Sequence, residues 1–160
     1  MDTSDTRSTA GGEVAAGVFV GTFRHNLDPK KRLTIPSEWR ELVGAPNSLY
    51  VLPSVDQQCL CAFPAREMVQ RLQIIRRHSI ADSKARQLAR VLGSQSQLAP
   101  WDAQGRIRVK DELLEFARIT GDAVLIGAFE SFELWNPGLW QASGTMDRSN
   151  LLDAARYVGI

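Results

Sequence analysis

The 160-residue chain has only two cysteines and two histidines, so few of its side chains can bind a metal ion through sulfur or imidazole or form a disulfide. Cys59 and Cys61 are two positions apart and share one face of a strand, a separation that differs from that of a zinc knuckle. We interpret them as small buried hydrophobic side chains. Because His25 and His78 form no paired-ligand pattern, the sequence predicts no metal site and no cofactor.

Long apolar runs are also missing, since no apolar stretch approaches the roughly 20 residues that cross a bilayer. The N-terminal segment, residues 1–17, is rich in Ser, Thr and Gly over its first twelve residues. It lacks the apolar core of a signal peptide. We therefore expect a disordered N-terminal tail over 1–17, a cytoplasmic location and no contact with a membrane.

The net charge is only +1, which argues against a general binder of polyanions, but the charges are sorted along the chain. Residues 66–90 contain seven cations and two acids, whereas acids outnumber cations after residue 110. A nearly neutral protein sorted in this way can present one basic face. For the cations of 66–90, a solvated helical face is the interpretation we prefer.

One turn-plus-strand unit occurs twice, 74 residues apart. Residues 27–36 are LDPKKRLTIP and residues 101–109 are WDAQGRIRV. Asp28 aligns with Asp102 and Arg32 with Arg106, and each arginine begins an alternating strand. The repetition predicts two copies of one structural unit.

The elements around each unit follow one plan of strand, turn, short strand, short helix and two further strands. The apolar pattern over 14–23 predicts the strand that leads into the first unit. Asp111 is predicted to cap a helix from Glu112 to Arg118. Between the two units, apolar stripes at helical spacing predict a pair of helices.

These motifs make the chain resemble the MraZ proteins, bacterial transcriptional regulators built from two AbrB-like (SpoVT-AbrB) repeats. The resemblance covers about residues 21–140 and rests on 26–36 (NLDPKKRLTIP), 102–107 (DAQGRI), 125–127 (LIG) and 132–135 (FELW). It implies a fold that is mainly β with short helices (α+β), a double-repeat AbrB-like swapped-hairpin β-barrel with a helical connector. The implied organisation is a tail over 1–17, repeat 1 over 22–67, a connector over 68–95, repeat 2 over 96–139 and a C-terminal helical tail over 140–160.

The resemblance also implies a homo-oligomer, typically a ring, associated with the nucleoid. Such proteins bind repeated boxes of double-stranded DNA upstream of the division and cell-wall gene cluster, and no small-molecule substrate is implied. The family contacts DNA through its Asp-x-x-x-Arg motifs, and we add cations that lie close to these motifs in the sequence. The candidate DNA-binding residues are Lys30, Lys31, Arg32, Arg106, Arg24 and Arg108, with His25 as a further neighbour.

Asp28, Asp102 and Gly105 are the candidate turn-structuring residues. The family usually has glycine just before the arginine, and Gly105 keeps it, but Lys31 stands there in the first unit. If the turn needs a positive φ, lysine costs about 1 kcal/mol relative to glycine. We therefore expect a slightly altered first turn with retained or greater affinity for phosphate.

Other interpretations stay open. For Asp28 and Asp102, turn chemistry alone is the preferred role. Judged by composition alone, the cations from Lys30 to Arg32 would belong to an ordinary solvated hairpin. The arginine that recurs in the second unit, together with the resemblance, favours contact with DNA instead. No nucleophile–base pair or facing carboxylates are evident, so no enzyme is predicted. The alternative function is a ring-forming interaction scaffold, or an antitoxin-like AbrB relative that binds a protein partner.

Overall fold

A six-stranded sheet and a two-stranded ribbon form the centre of the fold, and helices flank them. The computed structural model describes residues 17–79, 82–144 and 146–160, so the predicted tail over 1–17 lies outside the described residues except for Gly17. The strands are β1 (Thr22–Asn26), β2 (Arg32–Thr34), β3 (Ser48–Pro53), β4 (Leu60–Phe63), β5 (Gln97–Pro100), β6 (Arg106–Arg108), β7 (Asp122–Gly127) and β8 (Phe132–Trp135). The helices are α1 (Ser37–Val43), α2 (Ala65–Ser79), α3 (Ser83–Gln95), α4 (Asp111–Ala117), α5 (Pro137–Leu139), continued by a π-helical turn (Trp140–Gly144), and α6 (Arg148–Val158).

The two halves of the chain interleave their strands. Six strands form one antiparallel sheet in the order β1-β7-β8-β4-β3-β5, and β2 pairs with β6 in a separate two-stranded ribbon. The hairpin β3–β4 lies beside the hairpin β7–β8, while β1 pairs with β7 and β5 pairs with β3. The strands β1, β3 and β4 of the first half correspond to β5, β7 and β8 of the second. If each strand is exchanged for its counterpart, the same strand order results in reverse, as expected for a pseudo-twofold axis.

The predicted fold class, mainly β with short helices and swapped hairpins, is confirmed. The six-stranded sheet is open, because no pairing among the described residues joins its two edge strands, β1 and β5. The arrangement is therefore an open sheet accompanied by a ribbon rather than a fully hydrogen-bonded barrel.

A single large hydrophobic core unites both halves. At its centre Phe19, Trp39 and Phe132 pack ring against ring, with centroid separations between 4.6 and 5.7 Å. The buried indole N–H of Trp39 donates to the carbonyl oxygen of Val20, which removes the cost of an unpaired polar group. Leucine and isoleucine side chains from both halves complete the core: Leu33, Ile35, Leu49, Leu60, Ile107, Leu125 and Leu134.

Several predicted boundaries differ from the structure. The strand predicted over 14–23 is displaced: Phe19 forms only an isolated bridge to Phe129, and β1 runs from Thr22 to Asn26. Part of the predicted range, residues 14–16, lies outside the described residues. Helix α2 begins at Ala65, where its first turn follows Pro64 directly. None of the helices in the described ranges has the length and apolar character needed to cross a membrane.

Candidate nucleic-acid interface

The two repeated turns have the same backbone geometry. In the first, the N–H of Lys31 donates to the carbonyl of Asp28 at 2.8 Å, and in the second Gly105 donates to Asp102 at 2.9 Å. Lys31 has a φ of 61° and Gly105 a φ of 79°, so both residues occupy the left-handed region. The expectation of an altered first turn is wrong, because lysine adopts the conformation that glycine adopts in the second copy.

A difference in the neighbouring helix makes the space around the second turn tighter than that around the first. A Cβ atom on Gly105 would lie 2.4 Å from Cζ of Arg40, whose Nε donates to the carbonyl of Ile35 at 3.0 Å. The position that corresponds to Arg40 in the other half is Leu114, which is buried in the core. The guanidinium that covers Gly105 therefore has no counterpart over Lys31.

The side chains of Asp28 and Asp102 fix the turns. Asp28 Oδ1 accepts the backbone N–H groups of Lys30 and Arg32 at 2.9 and 2.8 Å. Asp102 Oδ1 accepts the equivalent N–H groups of Gln104 and Arg106 at 2.9 and 3.0 Å. Each carboxylate thus satisfies two donors of its own turn, as aspartate commonly does in tight turns.

The same two carboxylates also bind both motif arginines. Arg32 Nε lies 2.7 Å from Asp28 Oδ2, and Arg106 Nη2 lies 2.9 Å from Asp102 Oδ2. Longer pairs of 3.7 and 3.9 Å join each arginine to the aspartate of the other unit. We call these four residues the Asp–Arg cluster. It exists because β2 and β6 pair with Leu33 opposite Ile107, which brings the two turns together.

The cluster keeps its carboxylates ionised. The backbone N–H of Arg32 and then its guanidinium hold the pKa of Asp28 below its ordinary value, against the opposing effect of partial burial. Arg106 acts in the same way on Asp102 and lowers its pKa from 3.8 to about 2. At neutral pH both aspartates are therefore negative, and their charge balances that of the two arginines.

The two arginines differ in how much of the guanidinium stays available. Arg106 uses both Nε and Nη2 on Asp102, whereas Arg32 binds Asp28 through Nε alone. Among the described residues, Nη2 of Arg32 has no hydrogen bond or ion pair. Both side chains are roughly a quarter exposed. Arg32 is therefore the better placed of the two to bind an outside anion.

Comparison with known sequences assigns the chain to a family. The sequence model of a family described as "MraZ protein, putative antitoxin-like" matches residues 95–155. The protein called Transcriptional regulator MraZ in Roseiflexus sp. strain RS-1 is 33% identical over 124 residues, which are 78% of this chain and 85% of the relative. The chain belongs to the MraZ family. Proteins with the same name in Acidithiobacillus ferrooxidans and Saccharopolyspora erythraea are 31% and 34% identical, and each covers 78% of this chain.

In this MraZ-family chain a second group of charges lies beside the Asp–Arg cluster. Lys31 Nζ and Arg108 Nη2 both lie 3.1 Å from Asp111 Oδ1 and lower the pKa of that carboxyl, with Lys31 contributing most. The ammonium group of Lys30 is exposed and has no ion pair within the described part of the chain. The ribbon and its turns thus carry five cations, Lys30, Lys31, Arg32, Arg106 and Arg108, against three carboxylates, an excess of two positive charges.

Arg24 and His25 belong to a different part of the molecule. Both lie on β1 in the six-stranded sheet, where His25 is opposite Ala123. Arg24 is largely exposed, and its Nε pairs with Asp122 Oδ2 at 3.0 Å rather than with a carboxylate of the ribbon. The structure therefore groups the other five candidate cations together and leaves Arg24 apart.

Sequence reasoning missed two residues of the site. Asp111 is not a helix cap: α4 begins at Asp111 itself after Lys110, and its carboxylate bridges Lys31 and Arg108. Arg40, which covers Gly105, is not among the candidate residues that the sequence indicates. Neither contact leaves a local signal, because Lys31 and Asp111 are 80 positions apart and Arg40 and Gly105 are 65 apart.

Proposed function

We propose that this protein is a DNA-binding regulator of transcription and that the ribbon β2–β6 with its two turns is the DNA-contacting surface. The observation that carries the proposal is the meeting of two arginine-bearing turns, distant in sequence, on one ribbon with an excess of positive charge. The three relatives described above are called transcriptional regulators rather than enzymes, which supports the same class of function.

The ribbon has the properties that DNA recognition requires. A two-stranded antiparallel ribbon fits the major groove, and an arginine fork can bind two acceptors on guanine. Asp28 and Asp102 hold the guanidinium groups of Arg32 and Arg106 in one orientation, which reduces the rotamer entropy lost on binding. Their negative charge offsets that of the arginines. Lys30 has no ion pair among the described residues, so it attracts phosphate most directly.

We further propose that the protein acts as a homo-oligomer, typically a ring, on repeated boxes upstream of the division and cell-wall gene cluster in the bacterial nucleoid. One chain offers two non-identical turns, so contacts to a single short site are few. Several subunits touching several boxes would raise the overall affinity without new contacts. Exposed apolar side chains on the outer helices, such as Val69, Leu88 and Val91, support self-association.

Arg32→Ala tests the proposal. The variant should lose specific binding to a G-rich repeat promoter fragment while it stays folded, because Arg32 is partly exposed and its side chain pairs with the carboxylates of Asp28 and Asp102. Wild-type affinity should fall steeply with salt, with a log–log slope of about −0.9 for each phosphate neutralised. Arg90→Ala is the matched control, since it removes the same charge from an exposed position on α3.

Binding by Arg32→Ala equal to that of the wild type, or a salt slope near zero, would contradict the proposal. Circular dichroism and thermal unfolding of the variant separate loss of contact from loss of fold. A variant that unfolds should be replaced by Arg32→Lys, which keeps the charge but cannot form the two-pronged contact.

A protein-binding role is the second candidate. It is favoured by the apolar side chains exposed on α2 and α3 and by the words "antitoxin-like" in the family description. A ring-forming scaffold would assemble to a defined mass in light scattering and ignore DNA at every salt concentration. The salt titration above and a mass measurement on the same sample distinguish the two functions.

A further inference from the structure

A group of metal-binding side chain types lies on the sheet away from the ribbon. Cys61 on β4 is directly opposite Glu133 on β8, so their side chains extend from the same face of the sheet. Cys59, two residues before Cys61, lies on that face as well. The two sulfur atoms and a carboxylate oxygen of Glu133 all lie within 4.8 Å of one another.

The carboxylate of Glu133 is held in place. Its Oε1 accepts the indole N–H of Trp135 at 2.8 Å, and Trp135 is itself buried beside Cys59. Within the described residues the other oxygen, Oε2, has no hydrogen bond or ion pair. A carboxylate that is oriented through one oxygen and open at the other resembles the supported ligands of protein metal sites.

An ion could reach this group. Cys61 and Glu133 line a cavity of about 460 Å³ between the sheet and helices α2 and α3. Arg71, on the wall of the same cavity, stacks over the Phe63 ring at 4.3 Å and pairs with Glu130 at 3.5 Å. The guanidinium of Arg71 therefore contacts Phe63 and Glu130 rather than Cys59, Cys61 or Glu133.

We propose that Cys59, Cys61 and Glu133 form a binding site for a thiophilic divalent cation of the Zn²⁺ type. Two thiolates and one carboxylate are ligands that suit Zn²⁺. The three ligand atoms already lie within 4.8 Å of one another, so small side-chain rotations would bring each of them to a bond length of about 2.0–2.3 Å from one ion. Three protein ligands leave a fourth position for water from the cavity. The proposal departs from the sequence prediction, which considered the cysteines and histidines but not Glu133.

Titration with Co²⁺ under reducing conditions tests the site on the full-length, metal-free protein. Because the whole chain has only two cysteines, a thiolate-to-cobalt charge-transfer absorption can arise only from Cys59 or Cys61. We expect the absorption to saturate at one ion per chain and to disappear when Zn²⁺ is added. Zn²⁺ alone should raise the unfolding temperature, since a ligand that binds only the folded state stabilises it.

Variants identify the ligands. Cys61→Ser should reduce the charge-transfer absorption and weaken Zn²⁺ binding roughly tenfold or more, as should Glu133→Gln, and both avoid replacing the fully buried Cys59. Glu38→Gln is the matched control, since it changes an exposed acid on α1, outside the group. The proposal is overturned if Co²⁺ gives no thiolate absorption, if Cys61→Ser binds Zn²⁺ like the wild type, or if one ion binds per two chains.

Discussion

At the scale of single residues, the two turns show how one backbone shape can be made with different side chains. Lys31 and Gly105 share a positive φ, yet only Gly105 is covered by a neighbouring side chain, Arg40. A lysine is strained in this conformation by about 1 kcal/mol. The side chain of Lys31 forms an exposed ion pair with Asp111, and solvent screening makes such a pair a weak compensation for that strain.

Gly105→Ala should destabilise the protein by roughly 1.5–2.5 kcal/mol. The backbone strain contributes about 1 kcal/mol, and the new Cβ must displace Arg40 from its hydrogen bond to Ile35. Urea unfolding measures the change. In an Arg40→Ala background the same substitution should cost only the backbone strain, about 1 kcal/mol, and an equal cost in both backgrounds would show that Arg40 is irrelevant.

The depressed pKa of Asp102 predicts a defined pH dependence of stability. Its value of about 2 in the folded protein lies below the ordinary 3.8, so the folded state binds the proton less tightly than the unfolded state. The stabilisation from the charged carboxylate is therefore complete above about pH 4 and is lost as the pH falls through about 2.

Asp102→Asn tests this dependence. Its urea midpoint should lie below that of the wild type at about pH 6, and the gap should close between about pH 4 and pH 2. Asp153→Asn, an exposed position on α6, is the control and should show no such convergence. A gap of constant size down to about pH 2 would contradict the assignment.

At the scale of elements, the ribbon β2–β6 is the part that unites the two units. Each of its strands has only three residues, too few for an isolated pair to be stable. It is held by Leu33 and Ile107, which are opposite one another and fully buried in the core. The polar residues on its other face are thereby directed outward, which is how burial of one face positions the cations.

Leu33→Ala should destabilise the protein by about 2–5 kcal/mol, because it removes a fully buried side chain at the centre of the ribbon. Leu98→Ala on β5 is the matched control: its side chain is 53% exposed, and its loss should cost less than about 0.5 kcal/mol. Chemical unfolding of both variants gives the comparison. Equal losses of stability in the two variants would mean that the pair of Leu33 and Ile107 does not anchor the ribbon in the core.

At the scale of the whole molecule, interleaving makes the halves interdependent. Edge strand β1 is contributed by the first half to a hairpin of the second, and β5 is contributed in the opposite direction. Helices α2 and α3 lie outside this arrangement, and α3 has no buried residue. Their outward apolar side chains remain available for another molecule.

If these side chains mediate self-association, Leu88→Glu together with Val91→Glu should lower the mass measured by light scattering. The two residues are one helical turn apart on α3 and more than 40% exposed, so acidic replacements would place charges in the interface without disturbing the core. Gln87→Glu with Ser94→Glu adds the same charge at polar positions of α3 and should leave the mass unchanged. If both double variants have the mass of the wild type, the apolar surface of α3 does not mediate self-association.

Local chemistry in the sequence determined the repeated units and most of the elements. The aspartate turns, the alternation of Leu33 and Ile35 with polar residues, and the helical stripes between the units are all short-range patterns. They sufficed to predict a mainly β protein with short helices and to mark Arg32 and Arg106. The start of β1 was misplaced because an apolar run does not indicate which of its residues will pair with a distant strand.

Only the tertiary structure decided which side chains meet. The pairing of β2 with β6 converts two separate Asp–Arg motifs into one charge cluster, and the pairing of β4 with β8 adds Glu133 to two cysteines. Arg40 over Gly105 and Lys31 beside Asp111 depend on the same long-range register. Such contacts join positions more than 60 residues apart, and their geometry is set by burial of the common core rather than by any local pattern.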